Sequence, residues 1–341
     1  MAVMNKAVWI DGRGREPRVG PAETPEPGEN EILLQTKAVA VQPGEWKIKD
    51  GIIPIPLEYP AIIGLSFSGI VEKVGPGVER FKQGDHVLTN SAGVIRNDHR
   101  FGAYQRFSLV PQESTAKIAN TPFEEAASLA TAYAPASALF LHLGLERPQI
   151  PTAGKRQGVV LIWGASSSFG AIAAQLASHA GYAVVGVAHG RNADMVKSLG
   201  VTHFIDRTSD RAVSDLIDLG PFKAVLAAAD SAEDQVKIGE VLAAHGGGEF
   251  LSTMGVRSGV KLPDGVTGHF HQFVDDYLDP DNKQFTQWFW WDYLEKALAN
   301  NQLKSVPLEL KGGLSQVSAA WDTLRDNKVS GKRLIIQPEL D

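Results

Sequence analysis

Residues 159–170 read VVLIWGASSSFG, five apolar residues that lead directly into a segment rich in glycine and serine. An apolar run without alternation predicts a strand covered on both faces, because a strand with one exposed face alternates apolar and polar residues. Small residues at 169–180 predict a helix that ends at Gly181. A second apolar run at 182–188 completes a strand–helix–strand unit.

The alternation of strands and helices continues through residue 252. The expected elements are helix 193–199, strand 202–205, helix 211–219, strand 223–228, helix 233–244 and strand 249–252. Apolar strands with helices between them are typical of a parallel sheet that is buried on both faces. The predicted fold class is therefore α/β, with a Rossmann doubly wound parallel sheet.

The flanking segments have a different pattern. Short strands separated by Gly and Pro are expected at residues 6–10, 31–41, 67–74, 85–89 and 104–109, which indicates a β-rich domain. A helix at 126–145 should be kinked or split at Pro135. The C-terminal part predicts a helix at 285–300, a strand near Leu308, a helix at 315–326 and a last strand at 332–337.

Composition narrows the class of protein. The 341 residues are 43% hydrophobic and 21% charged, and they exceed the size at which one core stops growing, so two domains are expected. Neither a membrane-spanning run nor a signal peptide is recognisable, and the net charge of −6 comes without a basic block. We therefore expect a cytoplasmic protein with neither nucleic acid nor membrane as a partner. The absence of cysteine excludes disulfides and thiolate zinc sites.

The glycine- and serine-rich segment resembles a phosphate-binding turn in altered form. Gly164 can make the tight turn, Gly170 can allow close packing of the helix, and the serines offer hydroxyl donors beside the helix N-terminus. The predicted phosphate-binding residues are Gly164, Ala165, Ser166, Ser167, Ser168 and Phe169. The alternative is an ordinary tight turn between a strand and a helix.

The end of the second strand predicts which dinucleotide binds. An NAD-binding protein usually has Asp or Glu at this junction, whereas a 2'-phosphate requires neutral and basic groups. Here the chain reads His189-Gly190-Arg191-Asn192, with no carboxylate before Asp194. His189, Arg191 and Asn192 are therefore predicted to bind the 2'-phosphate of NADPH. The alternative is that Arg191 is a solvated surface residue and Asn192 only caps the next helix.

Five stretches together carry a resemblance to a known family. They are residues 25–47 (PEPGENEILLQTKAVAVQPGEWK), 59–87 (YPAIIGLSFSGIVEKVGPGVERFKQGDHV), 102–111 (GAYQRFSLVP), 159–177 (VVLIWGASSSFGAIAAQLA) and 329–336 (VSGKRLII). The chain resembles zinc-independent medium-chain dehydrogenase/reductases, in particular quinone oxidoreductases and stand-alone (trans-acting) enoyl reductases of fungal polyketide pathways. The resemblance implies a GroES-like catalytic domain at 1–130 and 285–341, with the NADP-binding Rossmann domain at 131–284.

Zinc-dependent members of this family surround the metal with Cys and a Gly-His-Glu stretch. The matching stretch here is Gly64-Leu65-Ser66, so no metal is expected at that position. His86, His269 and His271 remain as conceivable ligands, but structural roles are favoured for all three.

The resemblance also implies a reaction and its residues. Hydride would pass from the nicotinamide to the β-carbon of an activated double bond, while a donor stabilises charge on the carbonyl oxygen. Lys47 occupies the place of a lysine that faces the nicotinamide in polyketide reductases, although Gln42 and Glu45 replace the usual Asn and Asp. Pro135 stands where the family commonly has Thr, so Thr131 and Tyr133 become the candidates for the missing hydroxyl.

Substrate and partners follow from the same resemblance. A small apolar acceptor is expected, and a polyketide-derived compound is favoured. The acceptor can be free or delivered by a carrier or synthase partner. The protein itself is expected to be a monomer or a homodimer. A general quinone or carbonyl reductase and a non-catalytic NADPH-binding protein stay open as alternatives. The stretch 270–291 is unusually aromatic, and a helix there would place Trp288, Trp291 and Leu294 on one buried face. Phe289 and Trp290 then point elsewhere, and both an ordinary core position and a substrate pocket or partner contact stay open for them.

Overall fold

A computed structural model describes residues 4–150, 154–273 and 276–341. The chain divides into two compact units. The first contains Met1–Thr131, Tyr277–Gln302 and Pro307–Asp341, and the second contains Ala132–Asp276 and Leu303–Val306. The second boundary thus lies before the expected one at residues 284 and 285, and the short segment Leu303–Val306 returns to the second unit.

The first unit is rich in strands. Its strands are β1 (Lys6–Trp9), β2 (Arg18–Pro21), β3 (Glu31–Ala40), β4 (Ser66–Val74), β5 (His86–Asn90), β6 (Phe107–Pro111), β7 (Thr115–Lys117), β14 (Leu308–Gly312) and β15 (Arg333–Ile336). One sheet has the order β14-β15-β3-β4-β5-β7, with β6 also paired to β3, while β1 and β2 form a separate antiparallel pair. The central strand β3 is largely buried along its length, as its imperfect alternation predicts.

Helices surround the strands of this first unit. They are α1 (Pro43–Lys49), α2 (Gly93–Arg96), α3 (Phe123–Leu129), α9 (Lys283–Gln287), α10 (Glu295–Ala299) and α11 (Val317–Arg325). Helix α1 begins with Pro43 at its first position, and the Glu45 carboxylate accepts the Gln42 amide at 3.0 Å.

The second unit contains the parallel sheet. Its strands are β8 (Val159–Trp163), β9 (Ala183–Ala188), β10 (His203–Asp206), β11 (Phe222–Ala227), β12 (Gly248–Ser252) and β13 (Val266–Phe270). Their order is β10-β9-β8-β11-β12-β13, and each neighbouring pair is parallel. This is the doubly wound order of a Rossmann sheet, so the predicted fold class is confirmed.

Helices cover both faces of this sheet. They are α4 (Tyr133–Ser137), α5 (Ser168–His179), α6 (Ala193–Lys197), α7 (Ala212–Leu219) and α8 (Ala232–Ala244). On one face, Leu161, Trp163, Val185 and Phe250 of the strands pack with residues of α7 and α8 in a buried cluster. Burial on both faces explains why the strands are continuous apolar runs.

The helix expected across Pro135 is split. After α3 the chain forms a 3₁₀ turn at Ala130–Ala132, then α4, then a π-helical turn at Ala138–His142. Pro135 has no amide hydrogen, so it cannot complete the hydrogen bond to the carbonyl one turn earlier.

Among the described residues, no helix is long and apolar enough to span a membrane.

The burial expected for the aromatic helix is confirmed for Leu294 but not for Trp288 and Trp291. Phe289 and Trp290 are fully buried, whereas Trp288 and Trp291 are only half-buried. The segment Trp288–Leu294 is a π-helix, whose i→i+5 hydrogen bonds shift each later side chain relative to an α-helical pattern. Of the two possibilities open for Phe289 and Trp290, the core position is therefore the one that the structure shows.

Candidate functional site

The turn after β8 is shaped by two glycines. Gly164 has φ +79°, and a Cβ atom there would lie 2.6 Å from the amide nitrogen of Ala229. A Cβ atom at Gly170 would lie 2.3 Å from the carbonyl oxygen of Gly164. The first glycine thus permits the turn, and the second lets α5 pack against it.

Hydrogen bonds connect the same turn to the neighbouring strand. The amides of Gly164 and Ala165 both donate to the carbonyl of Val187, at 2.9 and 3.0 Å. Since β9 and β11 lie on either side of β8, the turn is at the point where the strand order of the sheet reverses. In open α/β sheets, ligands bind at this point, beyond the carboxyl ends of the strands.

Ser167 caps the helix that follows the turn. Its hydroxyl accepts the amide of Gly170 at 3.0 Å and donates to the carbonyl of Gly164 at 2.8 Å. Both hydrogen bonds are made within the turn and the first turn of α5, so Ser167 acts as an N-cap rather than as the free hydroxyl donor that the sequence suggested. Ser166, Ser168 and Phe169 are half-exposed beside it, at the N-terminus of the 12-residue helix α5.

The predicted 2'-phosphate residues follow β9. His189 caps a 3₁₀ turn at Gly190–Asn192, where its Nδ1 accepts the amide of Arg191 at 3.2 Å. The side chain of Arg191 is exposed, and within the described parts of the chain its guanidinium forms no ion pair. Asn192 is half-buried at the start of α6 and makes no side-chain capping bond there.

Two charged residues that sequence reasoning missed lie at this junction. In the parallel register, Asp206 at the end of β10 is paired with Ala188, and a Cβ at Gly190 would lie 2.3 Å from its Oδ2. Hydrogen bonds from Thr208 and from the Gly190 amide hold the pKa of Asp206 below its usual value. Next in the chain, Arg207 donates its amide to the carbonyl of Ala188 at 2.9 Å. The Arg207 guanidinium, however, pairs with Asp234 at the start of α8, at 3.8 Å, so the charged side chains at this junction are Arg191 and Asp206.

In the first unit, Lys47 lies on helix α1. Its side chain is half-buried, and its ammonium nitrogen is 5.8 Å from the centre of the Trp46 ring. The backbone carbonyl of Lys47 accepts the amides of Ile52 and Ile53, at 2.8 and 3.2 Å. This helix end is therefore held by the loop that follows it.

Glu45, two residues earlier, is the centre of a buried hydrogen-bond network. Its Oε2 accepts the Tyr104 hydroxyl at 2.6 Å, the Trp321 indole at 3.1 Å and the Gln42 amide at 3.0 Å. Its Oε1 accepts the Leu65 amide at 3.1 Å. Burial raises the pKa of Glu45, and the four donors only partly offset that effect. The residue that departs from the family pattern thus holds α1, which carries Lys47, against three other segments.

The two hydroxyl candidates are in different environments. Thr131 is buried and donates its hydroxyl to the Ser128 carbonyl at 2.7 Å, and its Oγ1 accepts a guanidinium N–H of Arg333 at 3.4 Å. Burial lowers the pKa of Arg333 to about 10. Tyr133 is completely buried in α4 of the second unit. Catalytic roles for Thr131 and Tyr133 stay predictions.

Ser66, in the stretch that the resemblance matches to the zinc ligands, belongs to a chain of neutral polar side chains. Gln42 donates to the Ser66 hydroxyl, which donates in turn to Asn90, both at 2.7 Å. The histidines that the sequence left open are elsewhere: exposed His86 packs on Phe123 at a ring distance of 4.8 Å, and His269 pairs with Glu249 at 3.0 Å. His269 lies on strand β13.

A cavity of about 240 Å³ lies in the first unit, away from the predicted residues. Its lining includes Trp9, Tyr59, Ile63, Val94 and His99, and it includes neither Lys47 nor Thr131. This cavity therefore provides no support for the assigned catalytic residues.

Comparison with known proteins agrees with this architecture. A family model described as the alcohol dehydrogenase GroES-like domain matches residues 28–120. The trans-enoyl reductase himH of Aspergillus japonicus is 31% identical over 347 residues, covering 98% of this chain and 98% of the relative. A Rossmann sheet joined in one chain to a GroES-like domain defines a class of two-domain oxidoreductases. This chain belongs to that class as a member of the medium-chain dehydrogenase/reductase family.

Solved structures share the fold over nearly the whole chain. The CurK enoyl reductase superimposes with a TM-score of 0.77 at 17% identity, covering 98% of this chain and 100% of that one. The quinone oxidoreductase of Pseudomonas syringae pv. tomato DC3000 gives 0.76 at 22% identity, with coverage of 98% and 100%. At these identities the similarity concerns the fold alone.

Proposed function

We propose that this protein is an NADPH-dependent enoyl or enone reductase, which reduces an activated α,β-unsaturated carbonyl compound without a metal at the active site. The observation that carries the proposal is the turn between β8 and α5, with the exposed guanidinium of Arg191 at the next junction. The likeness to a fungal trans-enoyl reductase along 98% of the chain supports the substrate class.

The residues of the turn suit a pyrophosphate. Gly164 and Gly170 allow the turn and α5 to pack closely, which places the first amides of α5 at the end of β8, where a phosphate can bind them. Those amides and the helix dipole favour a negative charge. Ser167 fixes their direction by capping the helix, and Ser166 and Ser168 supply hydroxyls at its edge.

The second junction favours a 2'-phosphate, despite one opposing charge. Arg191 is basic and exposed, and a guanidinium group binds phosphate through two parallel hydrogen bonds, whereas the guanidinium of Arg207 pairs with Asp234 at 3.8 Å. Asp206 repels phosphate, but its carboxylate is engaged by Thr208 and by the amide of Gly190. We therefore assign Arg191 the contact that discriminates NADPH from NADH, with His189 and Asn192 beside it.

When bound, the nicotinamide supplies the hydride. Our first choice for the donor near the substrate carbonyl is Lys47, because α1 is fixed by the buried network around Glu45 and a fixed donor stabilises developing charge most effectively. The Thr131 hydroxyl already donates to a backbone carbonyl, so it is the weaker candidate. Tyr133 is the remaining hydroxyl that we propose for this role.

The experiment is to follow NADPH absorbance with three acceptor classes: enones, acyl thioesters with a conjugated double bond, and quinones. We expect oxidation with the first two classes and retention of activity after exhaustive treatment with a chelator. Reduction of quinones alone would identify a quinone reductase. NADPH binding without oxidation in any class would refute the enzyme assignment. Unchanged turnover in Lys47→Ala would show that Lys47 is not the donor near the substrate carbonyl.

The cofactor assignment has a separate test. Arg191→Ala should weaken NADPH binding about 10- to 100-fold, the value of one charged hydrogen-bonded pair, and leave NADH binding almost unchanged. Arg211→Ala is the matched control, because Arg211 is exposed in the same unit and pairs only locally with Asp215 at 3.0 Å. Equal losses for NADPH and NADH in Arg191→Ala would contradict the 2'-phosphate role.

A further inference from the structure

Three metal-ligating side chains converge in the second unit, outside the phosphate turn. Asp276 Oδ2 lies 3.1 Å from His142 Nε2, and Asp276 Oδ1 lies 2.8 Å from His271 Nε2. The two imidazole rings are tilted by 33° to each other, with centres 3.5 Å apart. Within the described residues, this is the one group of three or more His, Cys, Asp or Glu side chains whose ligand atoms all lie within 4.8 Å of one another.

The carboxylate of this cluster is buried and oriented. Asp276 is only 5% exposed, and the hydroxyl of Ser137, itself fully buried, donates to its Oδ2. Burial opposes ionisation of Asp276, but the contacts of His142, Ser137 and His271 outweigh it and lower the pKa of the carboxyl. Asp276 is therefore a carboxylate at neutral pH, held in one direction by a residue that is not itself a ligand.

The histidines are accessible from one side. Their side chains are 26% and 36% exposed, for His142 and His271 respectively. On the protein side, the ring of Phe273 lies 6.0 Å from His142 and 5.5 Å from His271. An ion can thus enter from solvent, while an aromatic ring beside the ligands lowers the local dielectric constant.

The spacing suits a small divalent cation. Ligands at 2.0–2.1 Å from a tetrahedral Zn²⁺ are about 3.3 Å apart, which is a few tenths of an ångström more than the two nitrogen–oxygen distances here. Two imidazoles and one carboxylate form a donor set typical of zinc, and a buried serine behind the carboxylate is a typical outer-shell contact. Binding requires that each imidazole carry its proton on Nδ1, and that the two rings, now tilted by 33° to each other, turn until both Nε2 lone pairs point at the ion.

We propose that His142, His271 and Asp276 form a Zn²⁺ site with Ser137 as its orienting residue. The site differs in position from the zinc centre of zinc-dependent dehydrogenases, which corresponds to Gly64-Leu65-Ser66, and it lies wholly within the second unit. Its ligands come from the π-helical turn after α4 and from the segment after β13. The ion ties these two segments together, and the proposal does not depend on NADPH or on enoyl reduction.

The test uses the full-length protein, stripped with a chelator and then titrated with Zn²⁺ by calorimetry. Bound metal is counted by mass spectrometry after gel filtration. We expect one equivalent of Zn²⁺, a higher unfolding temperature in its presence, and visible absorption bands of a tetrahedral ion when Co²⁺ replaces it. Ser137→Ala should weaken Zn²⁺ binding about 10- to 100-fold, as loss of an outer-shell contact does, and His142→Ala and Asp276→Asn should weaken it more.

His269→Ala is the matched control. This histidine also contacts a carboxylate at 3.0 Å, but its side chain is 50% exposed and no third ligand is present among the described residues. Its loss should leave Zn²⁺ binding unchanged. Failure of the wild-type protein to retain Zn²⁺, or equal weakening by His269→Ala and His142→Ala, would overturn the proposal. If Asp276→Asn does not fold, the proposal is still tested by the Co²⁺ spectrum of the wild type and by Zn²⁺ binding to His142→Ala, in which a partly exposed side chain is replaced.

Discussion

Replacement of Gly170 by Ala tests how closely α5 must approach the phosphate turn. In an open helical position, Gly→Ala stabilises a protein by up to about 1 kcal/mol because Ala is the better helix former. At Gly170, however, the new Cβ would be 2.3 Å from the Gly164 carbonyl oxygen and 3.0 Å from the Ala165 Cα. Ordinary carbon–oxygen contacts begin at about 3.3 Å, so the overlap is about 1 Å.

The clash is with backbone, so α5 or the turn must move. Overpacking of this kind costs about 1–3 kcal/mol, which removes the gain in helix propensity and leaves Gly170→Ala no more stable than the wild type, or up to about 2 kcal/mol less stable. A shift of about 1 Å also takes the first amides of α5 beyond the 2.7–3.2 Å range of hydrogen bonds to a phosphate. We expect NADPH binding to weaken about tenfold or more, which corresponds to about 1.4 kcal/mol.

Gly44→Ala is the control for helix propensity. Gly44 also lies in a helix, and a Cβ there would meet no atom within 4 Å. Urea unfolding followed by circular dichroism should show Gly44→Ala as stable as the wild type or more stable, and Gly170→Ala about 1–3 kcal/mol below Gly44→Ala. If Gly170→Ala matches the control in stability and binds NADPH with unchanged affinity, then close packing at the turn is not required and the reasoning fails.

Three further variants test local contacts. Ser167→Ala should lower the free energy of unfolding by about 1 kcal/mol because it removes the cap of α5. Ser166→Ala is the control, since Ser166 makes no capping bond and its loss should not lower stability. Equal unfolding midpoints for the two variants would contradict the capping role. Tyr104→Phe removes a donor to buried Glu45 and should cost about 1.5–3 kcal/mol, against less than about 0.5 kcal/mol for exposed Tyr59→Phe. Because the folded-state pKa of Glu45 is raised above 4.5, its contribution to stability is present below pH 4.5 and is lost as the pH rises through the folded value. Glu45→Gln should therefore flatten the stability–pH profile above pH 4.5, and an unchanged slope would contradict this.

The sequence predicts the strands of the second unit well where they are buried on both faces. The bounds expected for β8 agree with the structure, because five apolar residues followed by Gly164 leave little choice of strand end. The edge strand β13 has the sequence VTGHF and only Val266 is buried. A strand without an apolar run has no periodic signal, so the segment was not recognised as a strand.

The aromatic helix shows a limit of periodic patterns. Counting by 3.6 residues per turn put Trp288, Trp291 and Leu294 on one buried face, and a π-helical segment then changed the phase within a single helix. Nothing in the sequence marks the extra residue per turn, because the stretch is aromatic on every side. Burial of Phe289 and Trp290 could therefore be found only from the structure.

The junction after β9, which we propose for the 2'-phosphate, was only partly predictable. His189, Arg191 and Asn192 follow β9 directly, so reading along the chain is enough to name them as candidates. Asp206 and Arg207 were missed because they belong to the next strand, although the carboxyl ends of neighbouring parallel strands meet at one edge of a sheet. Applying that rule to β10 would have found both residues and their opposite charges.

The histidine and aspartate cluster required the tertiary structure. The sequence invites a comparison of His271 with His269, two positions away, but β13 ends between them at Phe270 and they contact different carboxylates. The contacts of Asp276 with Ser137 and His142 instead join residues 139 and 134 positions apart. Each of the three ligands has an ordinary sequence context. Only the packing of the segment after β13 against the end of the π-helical turn brings a carboxylate and two imidazoles within reach of one ion, so a site of this kind has no local sequence motif.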